Sequence, residues 1–170
     1  MISTGGSRTS GGVGASATQT GSHPGSSPRR LFAKPVTAAE IVLDASALLR
    51  GLLGESREAE EIVGGVWDGD VQAHAPDLIG PESTHALLRL VRAGRLDVDD
   101  ARRLADDVER TPLDRHHSLG QAIPAFEFAR TTGLSGYDAF YAVLSEMLEL
   151  PLVTADRKLA AAVDGSVLVV

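Results

Sequence analysis

Two short apolar runs in this chain each end at an aspartate. Ile41–Val42–Leu43 stops at Asp44, and Leu152–Val153–Thr154 is followed, one residue later, by Asp156. Consecutive apolar or β-branched residues without polar alternation read as strands buried on both faces, the pattern of a parallel sheet covered by helices. Parallel strands need long crossovers, and helical patterns supply them. Helices are predicted over 45–53, ending at Gly54; over 57–67, capped by Ser56; over 77–93, ended by Gly94; and over 97–110, closed before Pro112. Three more follow, over 119–132 with Pro124 near the start and Gly133 as the stop, over 135–150, and over 156–163. Further strands are predicted at 71–75, 113–117 and 167–170, with the run at Leu152 extended back to Pro151. Alternating strands and helices predict an α/β layer fold with a mostly parallel sheet.

Residues 1–39 differ in kind. From Ser3 to Ser27 the chain is mostly Gly, Ser, Thr and Ala with no apolar periodicity. Such a segment buries too little surface to offset its ordering entropy, so a disordered tail at 1–39 and one domain at 40–170 are expected. The tail lacks the apolar stretch of a signal peptide. It reads either as a flexible arm or as a consequence of the assigned start. The absence of cysteine excludes disulfides and thiolate metal sites, and suits a reducing cytoplasm. No apolar run approaches the ~20 residues of a membrane span.

The tail holds four basic residues and no acidic ones; removing those four from 16 basic and 23 acidic leaves 12 and 23 in 40–170, a net of −11. A domain binding nucleic acid by charge alone would be basic. Part of this acidity is therefore expected to bind metal, and a strongly acidic pocket suggests a basic partner segment.

Four acids stand out. Ligands of open parallel sheets bind at the carboxyl ends of the strands, where Asp44 and Asp156 fall; each also suits the cap of a following helix. Glu82 lies three residues after Ile79 and four before Ala86, at the edge of the stripe formed with Leu87 and Leu90. An inward carboxylate is costly unless paired or metal-bound, though a rim position reaching water is the plainer alternative. Asp138 opens a strongly apolar helix and matches a capping box with Ser135. Clustered carboxylates repel unless a cation neutralises them. Magnesium prefers such hard oxygen ligands and would suit hydrolysis of a phosphodiester. Ser46 and Thr154, each two positions from an acid, are able to orient carboxylates; Arg157 and Lys158 are candidates for holding phosphates, or ordinary surface charges. His116 and His117 are adjacent in a predicted strand and so point to opposite faces, which argues against a shared metal. No glycine-rich phosphate loop is present, and seven aromatic residues are too few for a base-stacking platform.

The stretch Ile41–Val–Leu–Asp44–Ala–Ser46–Ala–Leu–Leu resembles the opening strand and turn of PIN-domain nucleases. Gly136–Tyr–Asp138–Ala–Phe–Tyr–Ala–Val–Leu–Ser–Glu146, then Leu152–Val–Thr–Ala–Asp156–Arg–Lys–Leu159, is similar to the C-terminal half of the VapC toxins in that family, and Pro81–Glu82 fits the second acidic position. The resemblance covers about residues 40–170. It implies a three-layer α/β/α sandwich and a magnesium- or manganese-dependent endoribonuclease that forms the toxin of a toxin–antitoxin pair. It further implies Asp44, Glu82, Asp138 and Asp156 as metal-binding acids around an activated water, a homodimer, and inhibition by an antitoxin whose basic segment enters the acidic groove. Two other readings stand beside it. A receiver- or phosphatase-like domain would also place an aspartate at a strand end, but would want a second acid next to it and a lysine after a late strand. A PIN-like domain that binds a partner without catalysis is the other.

Overall fold

A computed structural model describes residues 39–170; the reading of the tail lies outside these residues, apart from Ala39. The order of elements is β1 (Ala39–Leu43), α1 (Ala45–Leu52), α2 (Arg57–Asp68), β2 (Val71–Pro76), α3 (Ile79–Arg92), α4 (Val98–Arg110), β3 (Leu113–His116), α5 (Ala122–Thr132), α6 (Gly136–Leu148), β4 (Leu152–Thr154), α7 (Arg157–Ala162) and β5 (Val167–Leu168). The strands form one sheet in the order β3-β2-β1-β4-β5, every pairing parallel. The helices enclose it in a three-layer α/β/α arrangement. Ile41, Val42 and Leu43 are all buried, as a strand covered on both faces requires.

This order places a topological switch point beside β1. From β1 the chain steps outward through β2 to β3, and then resumes on the other side with β4 and β5. Successive crossovers therefore leave a crevice at the carboxyl ends of β1 and β4. Val42 pairs with Leu152 and Leu43 with Val153, which brings Asp44 and Asp156 to the same end of the sheet.

Several boundaries differ from expectation, each for a local reason. The helix expected to reach residue 150 ends at Leu148, and Glu149 takes a left-handed φ of 56°; Leu150 precedes Pro151, a position that disfavours helix. The helix expected from 119 starts at Ala122, because Gly120 turns the chain at φ +91°. Asp77 does not enter α3. Its carboxylate instead accepts the Ser118 backbone N–H at 3.1 Å, fastening the loop after β3. The fully buried positions of α3 are Ile79, Ser83 and Leu87, with Ala86 and Leu90 half-buried. Among the described residues no helix is long and apolar enough to cross a membrane.

The core runs from β1 and β4 into α1 and α6, with Leu43, Leu48, Ile79, Tyr141, Leu144 and Leu152 almost wholly buried. Gly51 lets α1 approach α2: a Cβ there would lie 2.7 Å from the Ala59 carbonyl oxygen and 2.7 Å from Val63 Cγ2. Gly51→Ala should therefore destabilise the domain by about 1–3 kcal/mol through overpacking. The clash with backbone outweighs the better helix propensity of alanine, ~1 kcal/mol. A lowered urea midpoint at unchanged m-value is the expected result.

Candidate active site

Asp44 is the most constrained side chain of the site. It caps α1 in extended conformation (φ −81°, ψ 150°) and is only 5% exposed. A buried carboxylate needs donors, and three converge on its Oδ2. Thr154 Oγ1 donates at 2.8 Å, Ser46 Oγ donates a short hydrogen bond, and the Ser46 backbone N–H lies at 3.3 Å. Both hydroxyls are locked in that role because they accept backbone N–H bonds, Ser46 Oγ from Ala155 at 2.9 Å and Thr154 Oγ1 from Asp156 at 3.0 Å. Thr154 thus orients Asp44 across the β1–β4 pairing as well as receiving the Asp156 amide. Burial pushes the Asp44 carboxyl up; the two hydroxyls pull it down, and the charge of Asp138 raises it further.

Glu82 lies on the first turn of α3, half-buried, and Tyr141 on α6 donates its phenol proton to Glu82 Oε2 at 2.6 Å. Burial lifts the Glu82 carboxyl to about 7; the Tyr141 hydrogen bond opposes this, and the charges of Asp44 and Asp138 add to it. Asp138 forms the expected capping box: its N–H donates to Ser135 Oγ at 3.1 Å, and Ser135 Oγ donates to its Oδ2 at 2.8 Å. Asp156 caps α7 through Oδ1, which accepts the N–H groups of Lys158 and Leu159 at 2.7 and 3.0 Å.

All four acids line one cleft of about 440 Å³, together with Ala45, Ser46, Leu49, Pro81, His85, Ala86, Arg89 and Tyr137. A hollow of about 530 Å³ lies elsewhere, between the end of α6 and the residues after α7, away from the carboxyl ends of β1 and β4. Position and chemistry favour the smaller cleft. Each of its acids commits one oxygen to the protein, while its second oxygen accepts no hydrogen bond among the described residues. Four spare carboxylate oxygens with no thiolate nearby are a donor set of the type hard divalent cations take. No three His, Asp or Glu side chains among the described residues already surround a common point.

The sequence expectations did not include two lining residues, His85 and Arg89, nor Tyr141, which bonds Glu82 without lining the cleft. His85 and Arg89 follow Glu82 at helical spacing on the cleft side of α3, a placement that the i, i+3, i+7 spacing could have suggested. Tyr141 was read simply as one of the apolar residues of α6. Arg157 and Lys158 are exposed on α7 and outside the cleft lining; Lys158 borders a separate depression beside Thr132 and Gly133. The cleft therefore holds no lysine of the kind a receiver-type site would use. His116 and His117 diverge, His116 Nε2 lying 3.0 Å from His74 Nδ1 and His117 Nδ1 3.2 Å from Asp77.

Comparison with known proteins was consistent with this geometry. A family model described as PIN domain matches residues 41–165. Ribonuclease VapC9 of Mycobacterium tuberculosis is 34% identical over 120 residues, 71% of this chain and 88% of that protein. Ribonuclease VapC3 of Pyrobaculum aerophilum is 31% identical over 125 residues, 71% of this chain and 92% of that protein. Among solved structures, PAE2754 from Pyrobaculum aerophilum superposes with a TM-score of 0.61 at 27% identity, covering 80% of this chain and 88% of that one.

The electrostatics give a testable pH dependence. Glu82 holds a proton more tightly in the folded chain, about 7 against 4.5, so the folded state binds more protons across that window and stability falls as pH rises through it. Burial of Asp44 acts in the same direction. The metal-free protein should melt at a lower temperature at pH 7.5 than at pH 5. Glu82→Gln should flatten the slope, and Mn2+ should raise the melting temperature at pH 7.5 far more than at pH 5. Thermal unfolding with and without EDTA measures all three.

Proposed function

The chain belongs to the PIN-domain family, among its VapC-type members, and from that premise we propose that it is a divalent-metal-dependent endoribonuclease, the toxin of a toxin–antitoxin pair. The observation that carries this reading is the convergence of Asp44, Glu82, Asp138 and Asp156 on one cleft at the switch point of the sheet. The spare oxygens of these residues would hold magnesium or manganese. A bound ion would supply positive charge for the phosphate oxygens and acidify a water molecule.

The remaining work belongs to the side chains. Asp44, fixed by two hydroxyls, presents a carboxylate whose orientation cannot relax. Glu82, held through Oε2 by Tyr141, presents its other oxygen as a further metal-binding group, and the proton of the attacking water passes to solvent. In the hydrolysis, the water oxygen bonds to phosphorus, the bond to the leaving ribose oxygen breaks, and that oxygen is protonated from solvent. Arg89 and His85 extend along α3 from Glu82, placed to meet the flanking RNA phosphates. Arg89 forms no ion pair among the described residues, whereas Arg57, Arg95, Arg102, Arg103, Arg110 and Arg130 are all paired with carboxylates.

An antitoxin with a basic segment suits a domain of net charge −11 whose cleft carries four acids. The exposed apolar side chains Leu119, Ile123 and Phe126 offer a surface for partner contact, either with the antitoxin or with a second copy in a homodimer.

With purified chain, structured RNA and Mg2+, Asp44→Asn should lower the cleavage rate at least ~100-fold, since even outer-shell partners of metal ligands cost 10–100-fold. Equal cleavage by both chains, or none by the unsubstituted chain with metal present, would overturn the catalytic reading. Arg89→Ala should weaken RNA binding at every sequence and reduce the salt slope of log K by about 1, as measured by fluorescence anisotropy in Ca2+ to prevent turnover.

A further inference from the structure

Tyr141 is the largest almost fully buried side chain of the domain, yet its hydroxyl bonds one of the acids that line the cleft. It follows Asp138 by three residues on α6, so the two leave the helix on the same face, one turn apart. Its hydroxyl donates to Glu82 Oε2 at 2.6 Å. One side chain thereby connects the helix that carries Asp138 to the carboxylate of Glu82. Among the described residues no other group holds Glu82, whereas Asp44 has two hydroxyls, Asp138 has Ser135 and Asp156 has two backbone amides.

The geometry points to Tyr141 as the positioning residue that holds Glu82 for the divalent cation, engaging Oε2 and leaving Oε1 without a hydrogen bond among the described residues. This rests on the metal-dependent reading above. Glutamate has one more rotatable bond than aspartate, and an untethered Glu82 at the half-buried rim would lose that freedom only on binding the ion. A phenol in this position removes the cost beforehand, and its donated proton favours the charged carboxylate that a metal requires.

The test is a double-mutant cycle read by Mn2+ binding, with free Mn2+ followed by electron paramagnetic resonance on the full chain and no RNA present. Tyr141→Phe removes the hydroxyl and keeps the ring that packs in the core. It should weaken Mn2+ binding by about 10-fold or more, with a melting temperature close to that of the parent. In the Glu82→Gln background the same substitution should change Mn2+ affinity by less than twofold, because the partner it positions is gone; a general structural effect would cost the same in both backgrounds. If the phenylalanine chain does not fold, 4-fluorophenylalanine at the same position fills the volume of the phenol with no proton to donate and takes its place in the cycle. Unchanged affinity, or equal losses in both backgrounds, overturns the role of Tyr141 while leaving the metal site intact. Absence of Mn2+ binding by the unsubstituted chain overturns both.

Discussion

The buried carboxylate of Asp44 is the interaction on which the rest of the molecule depends. A charge only 5% exposed at the end of the central strand is tolerable only if donors surround it, and the donors come from two places in the chain. Ser46 is local, in the first turn of α1, while Thr154 stands at the end of β4, 110 residues away. The anion therefore ties β1 to β4 at the point where the sheet order reverses. The same residue starts α1, its carbonyl accepting the Leu48 N–H at 3.0 Å. Strand pairing, helix start and cleft are set by one side chain, and the hydroxyls that make its burial possible also aim it.

From that anchor the electrostatics of the cleft follow. With Asp44 immobile, a second and third acid brought near it must either move apart or take up a proton. Glu82 shows the effect most plainly, its carboxyl raised to about 7 by burial and by its two acidic neighbours. Five of the eleven arginines in residues 39–170 are engaged with surface acids through short helical spacings, such as Arg57 with Glu61 and Arg110 with Asp106. Such exposed pairs contribute little stability, but they leave Arg89 as the arginine of the cleft lining. The domain is acidic overall while one path along α3 carries cationic groups.

The strand-end acids were legible in the sequence because both features involved are local. Ile41 to Asp44 and Leu152 to Asp156 combine a buried-strand pattern with a polar residue where the strand must end. Glu82 was legible from helical spacing, as a charge on the edge of an apolar stripe. The partners of these acids were less accessible. Thr154 was noted beside Asp156, but its bond to Asp44 exists only through the β1–β4 register. Tyr141 looks like core on a helix apolar nearly all round, and its hydroxyl acquires a function only when α6 meets α3. The helix boundaries that shifted, at Leu150 and Gly120, were decided by proline and by a left-handed glycine, over which the apolar pattern had carried the expected helices too far.

Capping and metal binding do not compete at Asp44, Asp138 and Asp156. A carboxylate has two oxygens. In Asp138 one engages Ser135 and closes the capping box, and in Asp156 one gathers the first amides of α7. The second oxygen of each accepts no hydrogen bond among the described residues. A helix cap is held by backbone, so an acid that caps a helix beside a strand end has its orientation imposed by the fold. Glu82 lies beyond the reach of any such cap, within α3 itself. It is also the acid that relies on a distant side chain, Tyr141. That division explains why three of the four acids sit where secondary structure alone would put them, and why the fourth needs the packed core to hold it.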